Sequence, residues 1–114
     1  MWVFSKEGFF SVVCKECHEN EVLIRTKCKE DLIKMFQKLD DEPRIIKKEE
    51  GNYKFRTILK KETWVKYLSG CVFDLNYKKV KENIVSEDDK ARKVAYNSVW
   101  STMYNWLGRE APQS

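Results

Sequence analysis

Apolar and polar residues alternate at the start of the chain and recur at helical spacing toward its end. Residues 2–4 and 9–14 read as extended, with Ser5–Gly8 as a hairpin turn in which Gly8 supplies a positive φ. Residues 21–28 read as a second strand. Val22, Ile24, Thr26 and Cys28 fall on one side of it, and Leu23, Arg25 and Lys27 on the other. Leu32, Met35, Phe36 and Leu39 then share one face of a helix over 30–39. Glu30 and Asp31 suit the positive end of its dipole, and Pro43 bars its continuation.

Arg44–Lys48 and Asn52–Leu59 pair across Glu49–Asn52 as a hairpin. Its second arm carries Tyr53, Phe55, Thr57 and Leu59 on one face, with Lys54 and Arg56 on the other. Residues 61–69 predict a helix with Trp64, Tyr67 and Leu68 inward and Gly70 as its stop. A short helix over 77–84 follows an Asn76 cap. Ser86 and Asp89, at capping-box spacing, start the longest helix, 87–107, which Gly108 ends. Its main stripe is Ala91, Val94, Ala95, Val99, Thr102, Met103 and Trp106.

With the opening extended stretch as the first strand, the order is ββα-ββα-α-α. It predicts an α+β fold, an antiparallel sheet of four to five strands with helices packed on one face. Residues 1–107 are expected to form one domain, and 108–114 a flexible tail. Large rings open the chain (Trp2, Phe4, Phe9, Phe10) and close it (Tyr96, Trp100, Tyr104, Trp106). The two ends are therefore expected to meet in one core.

The opening MWVFSKEGFFSVV, the blocks GNYKFR and NYKKVK, and the closing VWSTMY extend over nearly the whole chain. Together they resemble a small stand-alone bacterial protein family. Its members open Met-Trp-x-Phe…Gly-Phe-(Phe/Tyr)-Ser-Val-Val and close Val-Trp-Ser-x-Met-Tyr. Where that family tends to show Asp-Tyr-x-Asn-Phe-Lys, this chain has Asn76-Tyr77-Lys78-Lys79-Val80-Lys81, so only Tyr77 and Lys81 carry over. The family has no assigned activity. The resemblance implies an intracellular α+β domain and no mechanism.

Composition narrows the function classes. The chain is 42% hydrophobic and 35% charged, with a net charge of only +4. Contact with nucleic acid would therefore need a local basic patch. No apolar run approaches the roughly 18–20 residues of a membrane span. Lys6 and Glu7 interrupt the opening apolar stretch, unlike a secretory signal. A cytoplasmic protein with four reduced cysteines and no membrane partner is expected.

No set of residues suggests catalysis. The glycines are isolated, so no phosphate cradle exists. The carboxylate pairs Asp40/Asp41, Glu49/Glu50 and Asp88/Asp89 lie in turns or at helix starts, where solvation or capping explains them. Cys14-Lys15-Glu16-Cys17-His18 matches the pattern for haem attachment, but that chemistry requires export. Cys14, Cys17, His18 and Cys28 are a candidate zinc set, and Cys14 with Cys17 a candidate redox pair. Small buried cysteines explain the same residues without a metal. No cofactor is implied.

Two surfaces remain. Arg25 and Lys27 share the outer side of one strand, and Lys54 and Arg56 that of another. If the strands share a sheet, these residues form a basic face able to contact phosphates, with a nearby ring to stack on bases. Alternating Lys and Arg on a solvated face are also ordinary, and they discourage edge pairing. Tyr96, Trp100 and Tyr104 form a second stripe on the last helix. It is either core or an exposed anchor for a larger protein. The expectation is thus a non-enzymatic nucleic-acid-binding module. The alternative is a protein-binding adaptor or inhibitor, for example of a bacterial or phage defence component, using those rings and the acidic stretch Glu87–Asp89. A zinc or redox domain ranks third. The sequence leaves the oligomeric state open.

Overall fold

The computed structural model describes residues 1–75 and 90–109. The elements are β1 (Trp2–Phe4), β2 (Phe9–Val13), β3 (Glu21–Thr26), α1 (Lys29–Lys38), β4 (Ile46–Lys47), β5 (Phe55–Lys60), α2 (Lys61–Phe73) and α3 (Lys90–Leu107). The expected short helix over 77–84, its Asn76 cap, the Ser86–Asp89 capping box, Glu87–Asp89 and most of the tail lie outside the described residues.

The strands form one antiparallel sheet in the order β1-β2-β3-β5-β4. The fold is α+β, and Ser5–Gly8 closes the expected turn, so the opening extended stretch counts as two strands and three precede α1. Ser5 and Gly8 exchange backbone hydrogen bonds of 2.9 and 3.2 Å, and Gly8 has φ +155. Strand β3 ends at Thr26, so Cys28 becomes the N-cap of α1 rather than a strand residue.

Alternation buries one face of the sheet. Phe10, Val12, Val22, Ile24 and Leu59 meet Leu32, Met35, Phe36 and Leu39 of α1 and Trp64 and Tyr67 of α2. Three aromatic rings form the middle of this core. Trp64 stacks on Tyr67 with centroids 5.2 Å apart, and Phe10 meets each edge-on, at 6.1 and 5.8 Å.

Helix α2 runs through Gly70 to Phe73, which corrects the expected stop. Gly70 thus sits inside the helix and is not a cap, and a β-carbon there would lie 3.2 Å from Lys38 Cε of α1. The last helix corrects a larger expectation. None of its residues is buried, and its main stripe of Val94, Val99, Met103 and Trp106 is exposed. The two ends of the chain do touch, through Phe4 and Tyr96, whose rings meet edge-on at 5.2 Å.

Two buried polar clusters tie the turn at Ser5–Gly8 to the helices. The Tyr67 hydroxyl lies 2.7 Å from Ser5 Oγ and donates to Glu7 Oε1 at 2.7 Å. Burial pushes its pKa far above the ordinary tyrosine value, and the Glu7 carboxyl adds to the rise. Tyr67→Phe removes the hydroxyl that donates to Glu7 and whose oxygen lies against Ser5 Oγ. A loss of about 1.5–3 kcal/mol is expected, the scale of a buried hydrogen bond to an ionisable group, and urea unfolding followed by tryptophan fluorescence measures it.

The second cluster centres on Asp31, in the first turn of α1. The Phe9 N–H donates to its Oδ2 at 3.1 Å, and Arg92 Nη2 of α3 donates to its Oδ1 at 2.9 Å. Burial pushes the Asp31 carboxyl above the ordinary aspartate range, although Arg92 and the Phe9 N–H pull it down.

Candidate nucleic-acid interface

The sheet face turned away from α1 and α2 carries the candidate site. Ladder register makes one row across it: Trp2, Ser11, Arg25, Arg56 and Ile46. Arg25 and Arg56 therefore stand directly opposite each other on β3 and β5. Phe4 pairs with Phe9 in the next row. Lys27 and Lys54 lie just past the ends of β3 and β5, next to the paired Thr26 and Phe55, and both are exposed. The strand order thus sets Arg25 opposite Arg56, with Lys27 and Lys54 at the end of the same strand pair.

The two arginines are not free ligands. Arg25 Nη2 donates to Ser11 Oγ at 2.8 Å, and its guanidinium lies 4.6 Å from the Tyr53 ring centroid. Arg56 Nε donates to the Tyr53 carbonyl at 3.3 Å, and Arg56 Nη1 pairs with Glu16 at 3.8 Å. Glu16 also pairs with Lys48 at 3.4 Å, and that partner holds its carboxyl below the ordinary range. Arg25 and Arg56 therefore set the charge of the face, while Lys27 and Lys54 present theirs to solvent.

An aromatic band adjoins the basic row. Trp2 meets Phe9 edge-on at 5.6 Å, Phe4 stacks on Phe9 at 4.7 Å, and Phe9 lies 6.4 Å from Tyr53. Trp2 is 65% exposed and Phe4 37%. Tyr53 corrects the sequence reading. Strand β5 begins only at Phe55, so Tyr53 leaves the Phe55–Leu59 face and covers Arg25 instead. A second correction concerns openness. Leu23 is 2% exposed. It aligns between Val13 and Ile58, so the β2–β3–β5 end of the face is apolar and closed.

Trp100 and Tyr104 are exposed and stack on each other at 5.1 Å, whereas Tyr96 is half-buried against Phe4. Among the described residues, no group of three or more His, Cys, Asp or Glu is placed to hold a metal, so Cys14, Cys17, His18 and Cys28 are not gathered. Cys17 donates instead to the Glu21 carbonyl at 3.5 Å, and the His18 N–H to Glu21 Oε1 at 2.9 Å. All four cysteines are free thiols.

Sequence reasoning missed Glu7 and Cys71 as a pair. The Cys71 thiol lies 3.8 Å from Glu7 Oε1, and burial pushes its pKa up, which leaves it protonated and a poor nucleophile. An open depression of about 550 Å³ lies beside them, lined by Lys6, Glu7, Lys34, Gln37, Lys38 and Asp74. Its Lys38 and Asp74 are spent on a mutual ion pair. No described helix is long and apolar enough to cross a membrane. Comparison with family models, curated proteins and solved structures finds no match for this chain.

Proposed function

We propose that this protein binds single-stranded nucleic acid on the sheet face away from α1 and α2. The observation that carries the reading is the adjacency of two chemistries on one face. Trp2 and Phe4 offer exposed rings along one edge, and Lys27 and Lys54 offer exposed ammonium groups beside the paired Arg25 and Arg56. Rings stack on unpaired bases of any sequence, and ammonium groups contact the phosphates between them. A duplex hides its base faces and gains only the phosphate contacts. Single strands should therefore bind more tightly than duplexes.

Fluorescence anisotropy of labelled single-stranded RNA, single-stranded DNA and duplex DNA, at low and at physiological salt, tests this. Salt-sensitive binding that favours single strands is expected. Trp2→Ala should weaken it about tenfold, the scale of one lost base–aromatic stack. Because Trp2 is exposed, the fold should survive the change. No binding to single strands at low salt would overturn the proposal.

A second reading is favoured by one observation. The rings Trp100 and Tyr104 of α3 are exposed in an uncharged stretch, as the anchors of a protein-binding surface would be.

A further inference from the structure

Helix α3 presents one long face to two different environments. At 100° per residue, Arg92, Tyr96, Trp100, Met103 and Leu107 lie on one side, flanked by Val99, Tyr104 and Trp106. The start of this face docks on the same chain, Arg92 on Asp31 and Tyr96 on Phe4. Its continuation carries Val99, Trp100, Met103, Tyr104, Trp106 and Leu107, between 39% and 70% exposed. An established contact surface thus runs on for about 16 Å of helix, at 1.5 Å per residue, as exposed apolar side chains.

The charge on this stretch points to the occupant. No charged residue falls between Lys93 and Arg109, in a chain that is 35% charged with net charge +4. Two copies of a chain with net charge +4 can meet on this stretch without any charged side chain having to be paired or desolvated. A partner chosen by opposite charge would find nothing to pair with. A face that is apolar and neutral along its length is complementary to itself. The three exposed rings alone present on the order of 350 Å². With the aliphatic side chains between them, this approaches the roughly 800 Å² per partner of a standard interface.

We infer that the occupant is a second copy of this chain, docked α3 against α3 antiparallel about a two-fold axis near Met103. This rests on the reading of α3 as a protein-binding surface and is independent of the nucleic-acid face. Each copy's Val99 and Trp100 would then face the partner's Trp106 and Leu107.

Sedimentation equilibrium of the full chain without nucleic acid tests the inference. The expected result is a reversible dimer of twice the 13.7 kDa chain mass. Met103→Glu should raise the dimer dissociation constant on the order of a hundredfold by placing two carboxylates together at the axis. Mixing that variant with Met103→Lys should restore association. Because α3 has no buried residue, circular dichroism of both variants should match the parent. A monomer at every concentration overturns the inference. Iodide quenching of tryptophan fluorescence, compared between the parent and Trp100→Phe/Trp106→Phe, then names the alternative. Tryptophans of α3 shielded in a monomer mean that the chain covers its own face, and accessible ones mean that the face serves a different protein. A dimer that Met103→Glu leaves intact also overturns it, since the interface would then lie elsewhere.

Discussion

Gly8→Ala is expected to destabilise the fold by about 3–5 kcal/mol, a large fraction of the roughly 5–15 kcal/mol that holds a domain together. Two effects combine. Gly8 has φ +155, a conformation that costs a residue with a β-carbon about 1–3 kcal/mol. That β-carbon would also run into the Asp31 carboxylate. Asp31 would have to move, and it is the group that holds the Phe9 N–H and Arg92 together. Disrupting a buried ion pair on one side is costly because the remaining charge stays behind unsolvated. Urea unfolding should show the midpoint falling by about 2 M with little change in slope. An unchanged midpoint would mean that the turn can relax away from α1.

Asp31→Asn separates the two effects, since it removes the charge and leaves the glycine untouched. It also has a pH signature. Burial raises the folded-state pKa of Asp31. Between the unfolded value near 4 and the raised folded value, the folded state therefore binds the extra proton. The contribution of Asp31 to stability then falls as pH rises through that window and is constant above it. Glu16, Asp41 and Asp74, held below the ordinary range by Lys48, Arg44 and Lys38, slope the other way at lower pH. The difference between parent and Asp31→Asn isolates the downward limb, and a flat difference would show that Arg92 fully offsets the burial.

Much of this fold is legible along the chain, and the failures have physical causes. Alternation at Val22, Leu23 and Ile24 identifies a strand because a half-buried pleat requires it. The turn at Ser5–Gly8 is legible because Gly8 sits where φ must be positive. Asp31 is not legible. A carboxylate in the first turn of a helix already has a reason to be there, the helix dipole, and its burial arises only when the turn at Gly8 closes over it. Glu7 is hidden in the same way, as a polar residue in a turn. Periodicity groups the residues of α3 on one face but does not say what that face meets, so an exposed stripe reads like a core one. The basic site shows both sides of this. Alternation placed each pair of basic residues on an outer face. That Arg25 stands opposite Arg56 depends on β5 inserting beside β3, and the period of two carries no trace of strand order.

Lys27→Glu/Lys54→Glu is expected to reduce single-strand affinity at low salt on the order of a hundredfold while leaving the fold intact. Each charge reversal replaces an attraction to phosphate with a repulsion, and the two sites lie side by side past the ends of β3 and β5. Three phosphate contacts would give a slope of log affinity against log salt of about −2 for a single strand. Losing two of them should bring the slope close to −1. Reversing Arg25 and Arg56 would be a poorer test. Arg25 is tied to Ser11 and Tyr53, and a glutamate at Arg56 would face Glu16 across an existing ion pair, so lost binding would mix with lost folding. Lys27 and Lys54 are exposed, so their reversal reads the surface alone. Unchanged affinity and slope would show that Lys27 and Lys54 make no phosphate contact, leaving the sheet face to other work. A fall in affinity with the slope unchanged would place their effect on the stacking rings Trp2 and Phe4 rather than on the phosphates, because only released counterions make binding depend on salt.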